Sequence, residues 1–129
     1  MTAELTALTL AALFQAVQFL AYSVTAQRQV GTGYALSPRD TPRVLSGLAG
    51  RLQRAMNNHF EALILFAIAA LVIAVSGQSS DFTAACAWVF LAARLLYLPA
   101  YALGLVPWRS LVWCVGFLAS MAMLGAALV

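Results

Sequence analysis

Four apolar stretches, at about residues 5–26, 58–75, 82–103 and 108–129, take up most of this 129-residue chain. Each is long enough for a helix to cross a bilayer, which takes ~20 residues, and four is the most the length admits. Leu, Ala and Val dominate, and no stretch alternates strictly between apolar and polar residues, so helices are expected rather than barrel strands. With 64% hydrophobic and 9% charged residues, the chain is too apolar for a disordered segment. It also lacks the polar surface that a soluble globule of this size requires. The expected fold class is an all-α integral membrane protein, with one domain over residues 1–129 built as a four-transmembrane-helix bundle. Val24-Thr25-Ala26 resembles a signal cleavage site. However, Glu4 and no basic residue precede the run, which is therefore read as a true span.

The positive charge is concentrated. All seven basic residues are arginines, and the formal net charge is +3. Arg28, Arg39, Arg43, Arg51 and Arg54 lie in or beside the first connection, Arg109 flanks the third, and the second has none. The positive-inside rule places the first and third connections in the cytoplasm. It also accounts for the basic balance without nucleic acid. Within the first connection, Ser37-Pro38-Arg39-Asp40-Thr41-Pro42 forms a turn-rich core. A helix is expected to start near Leu45 and run unbroken into the second span. Asp81 is expected to cap the third helix, and Pro107 suits the first turn of the fourth. Cys86 and Cys114 fall in apolar runs without metal or CxxC spacing, and read as small buried hydrophobes.

Two polar stripes interrupt the apolar helices. At ~100° per residue, Arg51, Arg54, Asn58 and Glu61 share one face of the second helix and lead from its cytoplasmic edge into the membrane. Such a face either snorkels to the headgroups or forms an anion-binding wall, with guanidiniums for a carboxylate and Asn58 and Glu61 for an amine. His59 lies off this stripe and has no second ligand at metal spacing, so no metal is expected. On the third helix Arg94, Tyr97 and Tyr101 are spaced i, i+3, i+7. Arg94 should face the bundle interior, with Glu61 as its partner. Pro99 is expected to kink this helix and open space at the cytoplasmic end. Tyr97, Tyr101 and Trp108 also suit an aromatic belt, and Arg109 a topology anchor. Taken together, the stripes have the composition of a site for a small zwitterionic or anionic ligand.

The pattern Arg51-x-x-Arg54-Ala55-x-x-Asn58-x-x-Glu61, then Arg94-x-x-Tyr97-x-x-x-Tyr101 and Arg109, resembles the MAPEG family, the membrane-associated proteins in eicosanoid and glutathione metabolism. The resemblance covers nearly the whole chain. Met56 stands where many members have His, and Ala62 where some eicosanoid enzymes have Tyr. The resemblance implies a bacterial-type, inner-membrane homotrimer with glutathione as co-substrate, bound between subunits at the cytoplasmic side. Arg51, Arg54, Asn58 and Glu61 would contact the tripeptide's charged ends, with Arg94 beside them. Tyr97 and Tyr101 would reach it from the adjacent protomer, and Arg109 would stabilise its thiolate. The implied function is a glutathione-dependent transferase or peroxidase acting on a lipophilic small molecule. The alternative is a non-catalytic lipid-binding or scaffold protein of the same fold. A transporter with Glu61 and Arg94 as a proton relay is disfavoured, because no broken-helix repeat is evident.

Overall fold

The computed structural model describes residues 1–129. It holds five helices and no strand: α1 (Ala3–Val30), α2 (Thr32–Ala35), α3 (Gly47–Ser76), α4 (Asp81–Ala102) and α5 (Trp108–Ala126). All but the short α2 are long and apolar enough to cross a membrane. At 1.5 Å per residue, the 30-residue α3 is about 45 Å long, well beyond the ~30 Å of hydrocarbon. Its first turns, with Arg51 and Arg54, are the surplus. The helix starts at Gly47, two residues after the expected Leu45, because Ser46 is its N-cap. Ser80, rather than Asp81, caps α4: Ser80 Oγ accepts from the Thr83 amide, and Thr83 Oγ1 accepts from the Ser80 amide. Thr83 fills the place that Glu or Gln usually takes in such a box. Asp81 is instead the first helical residue, where its charge complements the helix dipole. Pro107 is the N-cap of α5 rather than a first-turn residue, and α4 continues past Pro99 to Ala102.

The α3 and α4 helices pack together at the centre. Both contact α1 on one side and α5 on the other, while α1 and α5 do not touch. The interior is lined mainly by alanine, with Phe66 of α3 stacked on Phe90 of α4 at 3.9 Å between centroids. Gly116 lets α5 approach closely, since a Cβ there would lie 3.4 Å from that of Ala93. Large side chains such as Leu13, Leu20, Ile64, Leu96 and Leu118 point outward. Small residues inside and large apolar residues outside are what a hydrocarbon solvent selects, because tight helix contact rather than water exclusion holds such bundles.

Polar pins secure both ends. Near the first connection, Gln29 Oε1 accepts from the Ser46 amide at 2.9 Å, and its Nε2 donates back to Ser46 at 3.2 Å. The end of α1 is thereby tied to the start of α3. Three arginines cap helix C-terminal carbonyls: Arg43 at Val30, Arg39 at Ala35 and Arg51 at Ala102. Such carbonyls lack helical donors and carry the negative end of the dipole. At the other end, the fully buried Glu4 accepts from Ser79 Oγ at 3.0 and 2.9 Å and from Thr83 Oγ1. One carboxylate therefore joins the start of α1 to the α3–α4 connection. Glu4→Ala is expected to lower stability by roughly 1.5–3 kcal/mol, in line with charged hydrogen bonds. Glu4→Gln should lose less. Thermal unfolding in detergent checks both, and unchanged midpoints would argue against the pin.

Candidate functional site

The two sequence stripes meet inside a single chain. Arg54 Nε donates to Tyr101 Oη at 3.0 Å, joining α3 to α4. Arg109, at the start of α5, lies over the same Tyr101 ring at 4.9 Å, and Arg54 lies 5.9 Å from it. Two guanidiniums thus share one phenol. The Nε of Arg109 is buried and bonds no protein group. Arg51 of α3 is turned to the Ala102 carbonyl at the end of α4, and Arg28 stands exposed in the last turn of α1.

One turn deeper lies Arg94, only 2% exposed. Its Nη2 donates to Asn58 Oδ1 at 3.0 Å and its Nε to His59 Nδ1 at 3.1 Å. The guanidinium lies 4.4 Å over the Tyr97 ring, a favourable placement for a desolvated cation. The expected Arg94–Glu61 pair does not form in the chain. Glu61 is exposed, and Arg94 spends two of its donors on Asn58 and His59. Asn58 and His59 are adjacent on α3 and satisfy the guanidinium with neutral acceptors, so it needs no carboxylate, although Glu61 borders the same cavity as Arg94. His59 lies off the polar stripe, yet it is fully buried. The signal was available, since Leu52, Ala55, Met56 and His59 follow the i, i+3, i+4, i+7 spacing of a buried face, and all four are buried.

Two cavities adjoin at Trp113. A polar cavity of about 460 Å³ is lined by Asn58, Tyr97, Arg109, Ser110, Trp113 and Cys114. An aromatic cavity of about 200 Å³ lies between α3, α4 and α5, with Phe90, Trp113 and Phe117 as walls and Glu61, Arg94 and Ser120 as its polar groups. The Asn58–Arg94 hydrogen bond joins a wall of one cavity to a wall of the other. Tyr97 is buried and its hydroxyl has no protein partner, so the group is free for a ligand in the polar cavity.

A family model of the MAPEG family matches residues 3–129. The chain belongs to the MAPEG family. It is an integral membrane protein related to those of glutathione and eicosanoid metabolism. Among individually curated proteins, none matches it significantly.

The cysteines depart from expectation. Cys86 is half-buried and packs against the core, while Cys114 is exposed. The inward face of α5 is Gly116, Ala119, Ser120 and Met123. Cys114, two residues before Gly116, is rotated ~200° from it and lines the polar cavity instead. A small maleimide should therefore label Cys114 well before Cys86 in detergent-solubilised protein, read by peptide mass spectrometry. Equal or reversed labelling would contradict the placement of α5.

Proposed function

We propose that this MAPEG protein is a glutathione-dependent membrane transferase that activates the tripeptide's thiol for attack on lipophilic electrophiles. The observation that carries the reading is Arg109. Its guanidinium shares Tyr101 with that of Arg54, no carboxylate bonds either, its Nε is buried without a partner, and the residue lines the polar cavity. Like charges gathered in a partly dry site repel one another and call for an anion. Glutathione supplies two carboxylates, an ammonium and a thiol. Arg54 and Arg94 suit the carboxylates, bidentately where geometry permits. Glu61 suits the ammonium, and Asn58 and Tyr97 suit the peptide groups.

Arg109 and Tyr101 are assigned to the reacting sulfur. A free thiol has a pKa near 8.5, and a neighbouring cation lowers it. Because Tyr101 Oη accepts from Arg54 Nε, its own O–H proton is available to donate to the thiolate. The sulfur then attacks the electrophilic atom. The S–C bond forms and the leaving group departs with its bonding pair, so no protein nucleophile takes part. The aromatic walls Phe90, Trp113 and Phe117 suit the lipophilic partner, which would enter from the bilayer and meet the sulfur near Trp113, while Arg94 and Glu61 at the polar edge of the same cavity are left to the tripeptide. The arginine-rich end faces the cytoplasm in this reading, and neighbouring copies in a homotrimer close the site.

A non-catalytic lipid binder would use the aromatic cavity alone and leave Arg109 without a role. Titration with glutathione, followed by the ultraviolet thiolate band, separates the two. Wild type should show a saturable band. Arg109→Ala should abolish it and slow conjugation of a generic electrophile about 100-fold, as for other lost transition-state donors. Arg54→Ala should weaken glutathione binding about tenfold, as for a lost charged hydrogen bond. Absence of both band and turnover in wild type at saturating glutathione would overturn the transferase reading. Lipid that co-purifies with such a protein would favour the binder.

A further inference from the structure

His59 is the only histidine in the chain. It is fully buried and lies off the α3 face that carries Arg54, Asn58 and Glu61. Its bonding pattern fixes its chemical state. An arginine Nε can only donate, so His59 Nδ1, 3.1 Å from Arg94 Nε, is an acceptor without a proton. A carbonyl oxygen can only accept, so Nε2, 3.0 Å from the Ala11 carbonyl of α1, carries the proton. The imidazole is therefore the neutral Nε2–H tautomer. It bridges α1 to α4, and Phe14 of α1 packs edge-on against its ring at 5.5 Å.

The bridge sets the orientation of the guanidinium. With Nε held by His59 and Nη2 by Asn58, the Nη1 edge of Arg94 is left without a protein partner, and the residue lines the aromatic cavity. A long side chain in a bundle of small residues would otherwise be free to swing toward Glu61 or the headgroups. We propose that His59 is a positioning residue, which couples α1 to the ligand site by locking Arg94 so that its free edge is presented to a carboxylate. The identity of that carboxylate as glutathione's rests on the function proposed above, whereas the lock itself does not.

Two measurements test the lock. With a single histidine, the ¹⁵N spectrum of histidine-labelled protein has one imidazole to assign. It should report the neutral Nε2–H tautomer. A doubly protonated ring or the Nδ1–H tautomer would overturn the proposal whatever the ligand proves to be. The second measurement compares glutathione affinity and thermal midpoint in wild type, His59→Phe and His59→Gln. Phe keeps a ring against Phe14 but removes the acceptor, and glutathione should bind about tenfold more weakly. Gln offers an amide oxygen to Arg94 and an amide N–H to Ala11, and affinity should return to within about threefold of wild type. A residue that served packing alone would change the midpoint in both variants and leave affinity untouched, and that result would refute the lock. If wild type binds no glutathione, the function fails, and the spectrum still decides the lock.

Discussion

A guanidinium inside a bilayer has to be solvated by the protein, and Arg94 is the group around which this bundle is arranged. Its acceptors come from Asn58 and His59 of α3, its aromatic cover from Tyr97 of α4, and the support for His59 from the Ala11 carbonyl of α1. Removing any one acceptor leaves a buried cation short of a partner, a far larger cost than losing a surface ion pair. The three helices that meet there are consequently fixed in register. Gly116 then allows α5 to close on the same level, where its Cβ position would lie 3.8 Å from Arg94 Cδ. That contact leads from the buried cation to the helix that begins with Arg109.

Charge is graded along this axis. Arginines at the first connection cap helix ends and are satisfied by carbonyls. Arg54 and Arg109 are only partly satisfied, by the face and hydroxyl of Tyr101. Arg94 is bonded on two sides and left without a protein partner at its Nη1 edge. Cations that find their partners in the backbone stabilise the fold, while those that find only phenols and amides are suited to a ligand. The same gradient separates the cavities. The one near Arg109 is lined with polar groups, and the one beyond Arg94 with Phe90, Trp113 and Phe117. On the proposed function, a water-soluble reactant and a lipid-soluble one would meet there without either crossing the wrong solvent.

Much of this was legible in the sequence, for physical reasons. Hydropathy over windows of ~20 residues reports the spans directly, because in lipid a continuous apolar run of that length satisfies its own backbone only as a helix, whereas barrel strands are shorter and alternate. The 3.6-residue period placed Arg54, Asn58 and Glu61 on one face, and Arg94, Tyr97 and Tyr101 on another. Contacts between helices were not legible. Glu61 looked like the partner of Arg94 because opposite charges suggest a pair, whereas the fold satisfies Arg94 with neutral acceptors and leaves Glu61 exposed. His59 looked unimportant because it stood off a polar face, although the relevant face was the buried one. Cys114 looked buried because it sits in an apolar run, yet in a membrane an apolar run has no obligatory inside. The folded first connection, with Tyr34 Oη accepting from the Arg43 amide and donating to the Thr41 carbonyl, depends on contacts between side chain and backbone that no periodicity encodes.

The proposed chemistry requires Arg94 and Arg109 to face one ligand. A structure of the protein with bound glutathione is the most direct test. Carboxylate density should lie ~3 Å from the free edge of Arg94, with the sulfur beside Arg109 and Tyr101, while His59 keeps its bond to Arg94. Glutathione seated away from both arginines, or Arg94 swung out to pair with Glu61, would contradict it.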